Sequence, residues 1–222
     1  FRFLWIKHLN HLLILYTIVA GFTATVPAMP ILNETIRNLY FHVTMWFSMI
    51  IILTISVVYS IMHLSEFDLQ KDIVASEAAR VGLFFGFLGI ITGSIWAKFT
   101  WGAWWVNDPK LNGAVVTMLA YLAYVILRNS MQDTAKRARI SAIYNIFAYV
   151  MLIVFLMILP RVTDSLHPGS GGNPGFGSYD LTDRMKMVFY PAVCGWALLG
   201  IWILNLRIRL KKLTNSVDPL ES

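Results

Sequence analysis

The chain has 222 residues, of which 57% are hydrophobic and 14% charged, with a formal net charge of +6 at pH 7. A soluble domain carries nearer to ~25% charged residues, and a disordered chain has too little apolar surface to fold, so both classes are excluded. The single cysteine, Cys194, rules out an internal disulfide, a C-x-x-C redox pair and a C-x-x-C-H haem attachment site.

A helix crosses a bilayer core with about 20 mostly apolar residues. Six stretches meet this requirement, at approximately 9–29, 43–62, 81–97, 111–127, 140–159 and 187–206. Backbone amides in lipid must be paired internally, so stretches this apolar are expected to be helices. The first apolar run is followed by further spans, which reads as a membrane helix rather than a cleavable signal peptide. The second, fifth and sixth spans contain no charge, and the fourth needs flanking residues to reach full length. The third carries Gly82, Gly86, Gly89 and Gly93. Two of these pairs have the G-x-x-x-G spacing that lets helix backbones approach closely, and helix packing is the reading adopted for them.

The loops set the orientation. One side holds Arg37, Lys98, Lys110, Arg161, Arg184 and Lys186, and the other side holds the remaining twelve of the 18 Lys and Arg residues. The richer side is expected in the cytoplasm, which places both termini there. The basic charge is then accounted for by topology, and nucleic acid is not needed as a partner. The expected fold is an all-α integral membrane protein, a single six-span domain over residues 1–222. Its outer loops fall at about 30–42, 98–110 and 160–186. The last contains a turn-rich stretch from His167 to Gly175.

Two of the five histidines, His42 and His167, fall on the outer side, while His8, His11 and His63 lie at cytoplasmic span ends. The outer loop between spans three and four reads Trp101-Gly-Ala-Trp104-Trp105-Val-Asn-Asp108-Pro109. Trp101, Trp104, Trp105 and Asp108 are spaced i, i+3, i+4, i+7, so a short interfacial helix here presents them on one face. Pro109 ends that helix or begins the next span. The alternative for these tryptophans is an aromatic belt at the headgroup level. An aromatic shelf flanked by two histidines fits a flat, apolar, metal-bearing ligand. Haem iron accepts an imidazole on each face, and tryptophan supplies apolar contact and offset stacking to a porphyrin. Arg37, five residues before His42, is a candidate partner for a propionate, or else an anchor in the headgroup region.

The segment from Trp101 to Asp108 resembles the tryptophan-rich "WWD" signature of the haem-handling CcmC, CcmF and CcsA proteins of cytochrome c maturation. Six spans, about 220 residues and one outer WWD loop after the third span are most similar to the CcmC family. The segments Glu34–Val43 and Leu166–Ser170 resemble the family's two regions around its external histidines. The resemblance implies that His42 and His167 are axial ligands of haem b, bound non-covalently as cargo. Trp101, Trp104, Trp105 and Asp108 would form the WWD platform. Three departures from the family pattern are Asn107 for tryptophan, Lys110 for arginine and Thr44 for a proline after His-Val.

The resemblance further implies a haem exporter or haem-delivery protein in a bacterial inner membrane. Haem held at the periplasmic face would pass to the haem chaperone CcmE, with the single-span CcmD and the ABC-transporter pair CcmA and CcmB as partners. Such a chain is not expected to be an enzyme; it ligates, orients and hands over, and the glycine-rich stretch Gly169–Gly177 is an expected hinge for closing on haem. Two rivals stay open from the residues alone. A b-type cytochrome would use facing histidines within helices, with His11 and His63 as a candidate cytoplasmic-side pair. A solute transporter would use ionisable residues buried mid-span.

Overall fold

A computed structural model describes residues 4–28, 32–167 and 181–217, which form helices and connecting turns with no strand among them. The helices are α1 (Leu4–Thr23), α2 (Leu39–Glu66), α3 (Leu69–Trp101), α4 (Pro109–Asn129), α5 (Thr134–Leu152), α6 (Leu159–Val162) and α7 (Asp183–Val217). A 3-10 helix, Asn33–Asn38, leads into α2, and a π-helical segment, Ile153–Ile158, joins α5 to α6. Five helical stretches are long and apolar enough to cross a membrane: 33–66, 69–101, 109–129, 134–162 and 183–217. Side chains on their outward faces, such as Phe84, Ile91, Leu119, Ile126 and Phe147, are large, apolar and exposed. A face of this kind is stable against lipid rather than water.

The first expected span differs. Its helix runs from Leu4 to Thr23 instead of 9–29, and Met29 lies outside the described residues. Lys7, His8, Asn10 and His11 make its first half too polar for the hydropathy of the other five. It packs lengthwise on α7. A Cβ on Gly195 would stand 3.1 Å from Leu13 Cβ, His11 meets the Trp202 ring edge-on at 5.4 Å between centroids, and Tyr16 donates to the Met187 carbonyl at 3.1 Å.

Helix starts follow from capping residues. Asp68, Asp108 and Asp133 sit in extended backbone at the N-termini of α3, α4 and α5, and each carboxylate accepts from a backbone N–H of the first turn. Pro109 occupies the first turn of α4, where its missing N–H costs nothing. Phe67 at φ 52° closes α2, and Gly102 at φ 78° closes α3. Left-handed backbone of this kind ends a helix, and glycine adopts it without steric cost.

α2 is central and packs on α3, α5 and α7. Met45, Met49, Ile52, Leu53 and Val57 form its buried seam. At the α2 C-terminal half, Asn145 Nδ2 donates to Ser56 Oγ at 2.7 Å and Ser60 Oγ at 2.8 Å, tying α5 to α2. At the same end, Arg128 pairs in two-pronged fashion with Asp72, at 2.8 and 2.6 Å, joining α4 to α3. Glu77 accepts from Arg207 at 2.6 Å and joins α3 to α7. The opposite end, which carries His42 and His167, has no such ties between α2 and the π-helical segment, and a cavity lies between them.

The expected interfacial helix between spans three and four is absent. α3 continues to Trp101, Gly102 ends it, and residues 102–108 run as bends and irregular chain into α4. The physical reason is twofold. Gly102 stops the helix one residue past Trp101, and Asp108 is committed to extended backbone as the cap of α4.

Candidate functional site

The cavity of about 310 Å³ is walled by α2, α3, α4, the π-helical segment and the chain around His167. From α2 come His42, Trp46 and Ile50, spaced by four so that they share a helix face. From α3 come Gly89, Gly93, Trp96 and Trp101. Trp105 closes one side, and Leu156, Met157 and Pro160 the other. His42 and His167 therefore meet on one largely apolar, aromatic-walled space, the type of site that suits a flat hydrophobic ligand.

His42 is 9% exposed and its ring is pinned. Nδ1 lies 3.0 Å from the Gly89 carbonyl oxygen and 3.2 Å from Thr92 Oγ1. Trp46 and Trp96 meet the imidazole edge-on, at 6.3 and 5.7 Å between centroids. Gly93 provides the room: a Cβ there would stand 2.6 Å from His42 Cε1. Gly89 does the same for Trp46, at 2.7 Å from Cε2. Gly89 and Gly93 thus seat residues of the site, while Gly82 admits Leu53 and Gly86 admits Met118 as ordinary helix packing. The departure at Thr44 is accommodated, since α2 already begins at Leu39 and Thr44 Oγ1 donates to the Tyr40 carbonyl at 2.8 Å.

His167 is held by Asp108. Its Nδ1 lies 3.2 Å from Asp108 Oδ1, and the ring meets Trp101 edge-on at 5.2 Å. Asp108 is 1% exposed. It also accepts from Ser165 Oγ at 2.9 Å and from the Leu166 N–H at 2.7 Å, besides capping α4 through the Lys110 N–H at 2.9 Å. Burial pushes this carboxyl upward, but the hydrogen bonds from His167, Leu166 and Ser165 outweigh it and hold the group well below the usual carboxylate range. In both histidines Nδ1 is engaged. Nε2 has no hydrogen-bond partner among the described residues and is the ring nitrogen left to bind a ligand.

A model of the family "Heme exporter protein C" matches residues 2–219. The chain belongs to this family. Among curated members it is 24% identical to heme exporter protein C of Rhodobacter capsulatus over 221 residues, covering 98% of this chain and 89% of that one. It is 26% identical to the Paracoccus denitrificans protein of the same name, over 80% of this chain and 73% of that one. The Escherichia coli K12 member is 25% identical over 68% of this chain and 58% of its own length.

Of the site residues read from the sequence of this family member, His42, His167, Trp101 and Trp105 line the cavity. Asp108 stands behind His167. Trp104 is 59% exposed and does not line it. Arg37 lies outside the cavity as well. Its Nε donates to Glu34 at 2.6 Å and its Nη1 to the carbonyls of Gly21 and Ala24, so the guanidinium braces the end of α1. It lines a separate shallow groove on the other side of Trp96. His63 and His11 have partners elsewhere, the Asp68 carbonyl and Trp202. The glycine-rich stretch Gly169–Gly177 is outside the described residues.

Trp46, Trp96 and Arg161 line the cavity without having been candidates in the sequence, as does Lys110, which stood there only as a departure from the family pattern. Trp46 was within reach, because a spacing of four from His42 puts both on one face of a helix.

Proposed function

We infer that this chain is a haem-handling membrane protein of cytochrome c maturation. It holds haem b non-covalently between His42 and His167 and passes it to a periplasmic haem chaperone of the CcmE type. The observation that carries this reading is the presence of both histidines on one aromatic-walled cavity, each with Nδ1 engaged. Family membership supports the cargo, since the relatives are named for heme export.

In this reading the chain's residues bind and orient. The iron supplies the acceptor for two neutral imidazoles. Gly89 O and Asp108 fix the two ring orientations, and the tryptophans exclude water from the porphyrin faces. Asp108 acts through His167, a carboxylate–histidine pair of the kind that orients metal-ligating imidazoles. Arg37 braces α1 against the 3-10 helix that leads to His42. The chain crosses the inner membrane six times with α1 included, both termini are cytoplasmic, and the cavity opens to the periplasm. The excess of Lys and Arg on the other side supports this orientation. CcmD and the CcmA–CcmB pair are its proposed partners in the membrane.

Absorption spectroscopy of purified protein with haem is the test. A single haem per chain with bis-imidazole Soret and visible bands is expected. His42→Ala and His167→Ala should each abolish those bands. Retention of the wild-type bands by both variants overturns the axial assignment, and a protein that stays colourless with added haem overturns the function.

A further inference from the structure

The cavity is chemically graded along its depth. Its floor is hydrocarbon: Ile50 lies two turns, about 12 Å, below His42 on the same face of α2, and Phe47, Ile90 and Leu156 join it there. Its outer end is cationic. Lys110 and Arg161 are the only Lys or Arg side chains among the described lining residues, and no Asp or Glu is among them. Asp108, the carboxylate behind His167, is 1% exposed and hydrogen-bonded to His167, Ser165 and Leu166.

Helix pairing brings the two cations to one end. α4 and the π-helical segment run antiparallel and in close approach, with a Cβ on Gly113 standing 2.5 Å from the Phe155 carbonyl oxygen. Lys110 lies one turn before Gly113, and Arg161 lies beyond Phe155 toward the same outer end. Arg161 is exposed and has no side-chain hydrogen bond to any described residue. Thr100 Oγ1, buried and without a hydrogen-bond partner among the described residues, lines the same space one turn above Trp96.

We propose that Arg161, with Lys110 and Thr100, forms a carboxylate-binding edge that sets the direction in which the porphyrin enters, propionates outward and the hydrocarbon edge toward Ile50 and Leu156. This rests on the haem-handling reading. A guanidinium matches a carboxylate in planar, two-pronged geometry. A hydrocarbon floor rejects a charged edge because burying an unpaired carboxylate is costly. The ligand class that fits both ends is a flat apolar ring with its acidic groups on one side. Arg37, which the sequence offered for this role, is taken by Glu34 and the α1 carbonyls.

Ferric haem and its dimethyl ester, whose propionates carry no charge, are titrated into the full-length detergent-solubilised protein and followed by the Soret shift. Wild type should bind haem about tenfold or more tightly than the ester, the scale of a charge-assisted hydrogen bond. Arg161→Gln should bind haem about as weakly as wild type binds the ester and lose most of the preference. Arg161→Lys should recover part of it. Bis-imidazole binding with an undiminished preference in Arg161→Gln, or wild type indifferent to esterification, overturns the carboxylate edge while leaving the haem reading intact. Wild type that binds neither porphyrin overturns both.

Discussion

Asp108 Oδ1 lies 3.2 Å from His167 Nδ1, and the same carboxylate caps α4 through the Lys110 N–H. One buried residue therefore starts a helix and fixes the orientation of a histidine 59 positions later. Asparagine caps a helix about as well as aspartate, so Asp108→Asn separates the two tasks. We expect the fold to be kept and haem affinity to fall about 10- to 100-fold, as for other partners of metal-bound histidines. The haem midpoint potential should rise, because losing the anionic partner weakens His167 as a donor and favours the ferrous state. Binding titration and redox titration of the variant check both outcomes; an unchanged affinity and potential would contradict the positioning role.

The pH dependence of this contact has a definite sign. The Asp108 carboxyl is held below its ordinary value. The stability it contributes is therefore complete above the unfolded value of about 3.9 and is lost as pH falls through the lower folded value. The difference in melting temperature between wild type and Asp108→Asn should stay constant above about pH 5 and shrink below about pH 4. A difference that vanishes already near neutral pH would count against an ionised, hydrogen-bonded Asp108.

Gly93 faces the His42 ring, with 2.6 Å between a would-be Cβ and Cε1. The ring cannot yield easily, because Nδ1 is bound to Gly89 O. Gly93→Ala should displace the imidazole and remove the bis-imidazole spectrum. Gly82→Ala presses on Leu53 at 2.5 Å, away from the cavity. It should lower stability while leaving the bands in place. Spectra and thermal denaturation of the two variants side by side make the comparison.

Arg128 and Asp72 form a buried pair at the end of the bundle remote from the histidines. Removing one member leaves a buried charge alone, which costs about 3–5 kcal/mol. Arg128→Ala should show a loss on this scale in a reversible unfolding assay. Protein that still folds should keep wild-type haem spectra, since neither residue lines the cavity. A spectral change would mean that the two ends of the bundle are coupled.

Much of this was open to reading along the chain. Asp68, Asp108 and Asp133 precede apolar runs, and each caps a helix. Gly82, Gly86, Gly89 and Gly93 stand at helix-packing spacing, and all four are close-approach positions. The short helix drawn over Trp101–Asp108 is the instructive miss. Its i, i+3, i+4, i+7 pattern was genuine, but a glycine at Gly102 and a cap at Asp108 overrode it. Local termination signals acted more strongly than the spacing of the side chains.

By itself the sequence determined the apolar helices, the bias of basic residues, and the candidacy of His42, His167 and the tryptophan-rich loop. These are local properties: helix period, hydropathy and capping act over a few residues, and a linear reading captures them. Tertiary structure alone decided that His42 and His167 share a cavity, that Gly93 makes room for one and Asp108 holds the other, and that Arg37 is spent on α1 while Arg161 faces the cavity. Those pairings depend on how separate helices cross, and no spacing along one helix encodes which side chain another helix will bring to it.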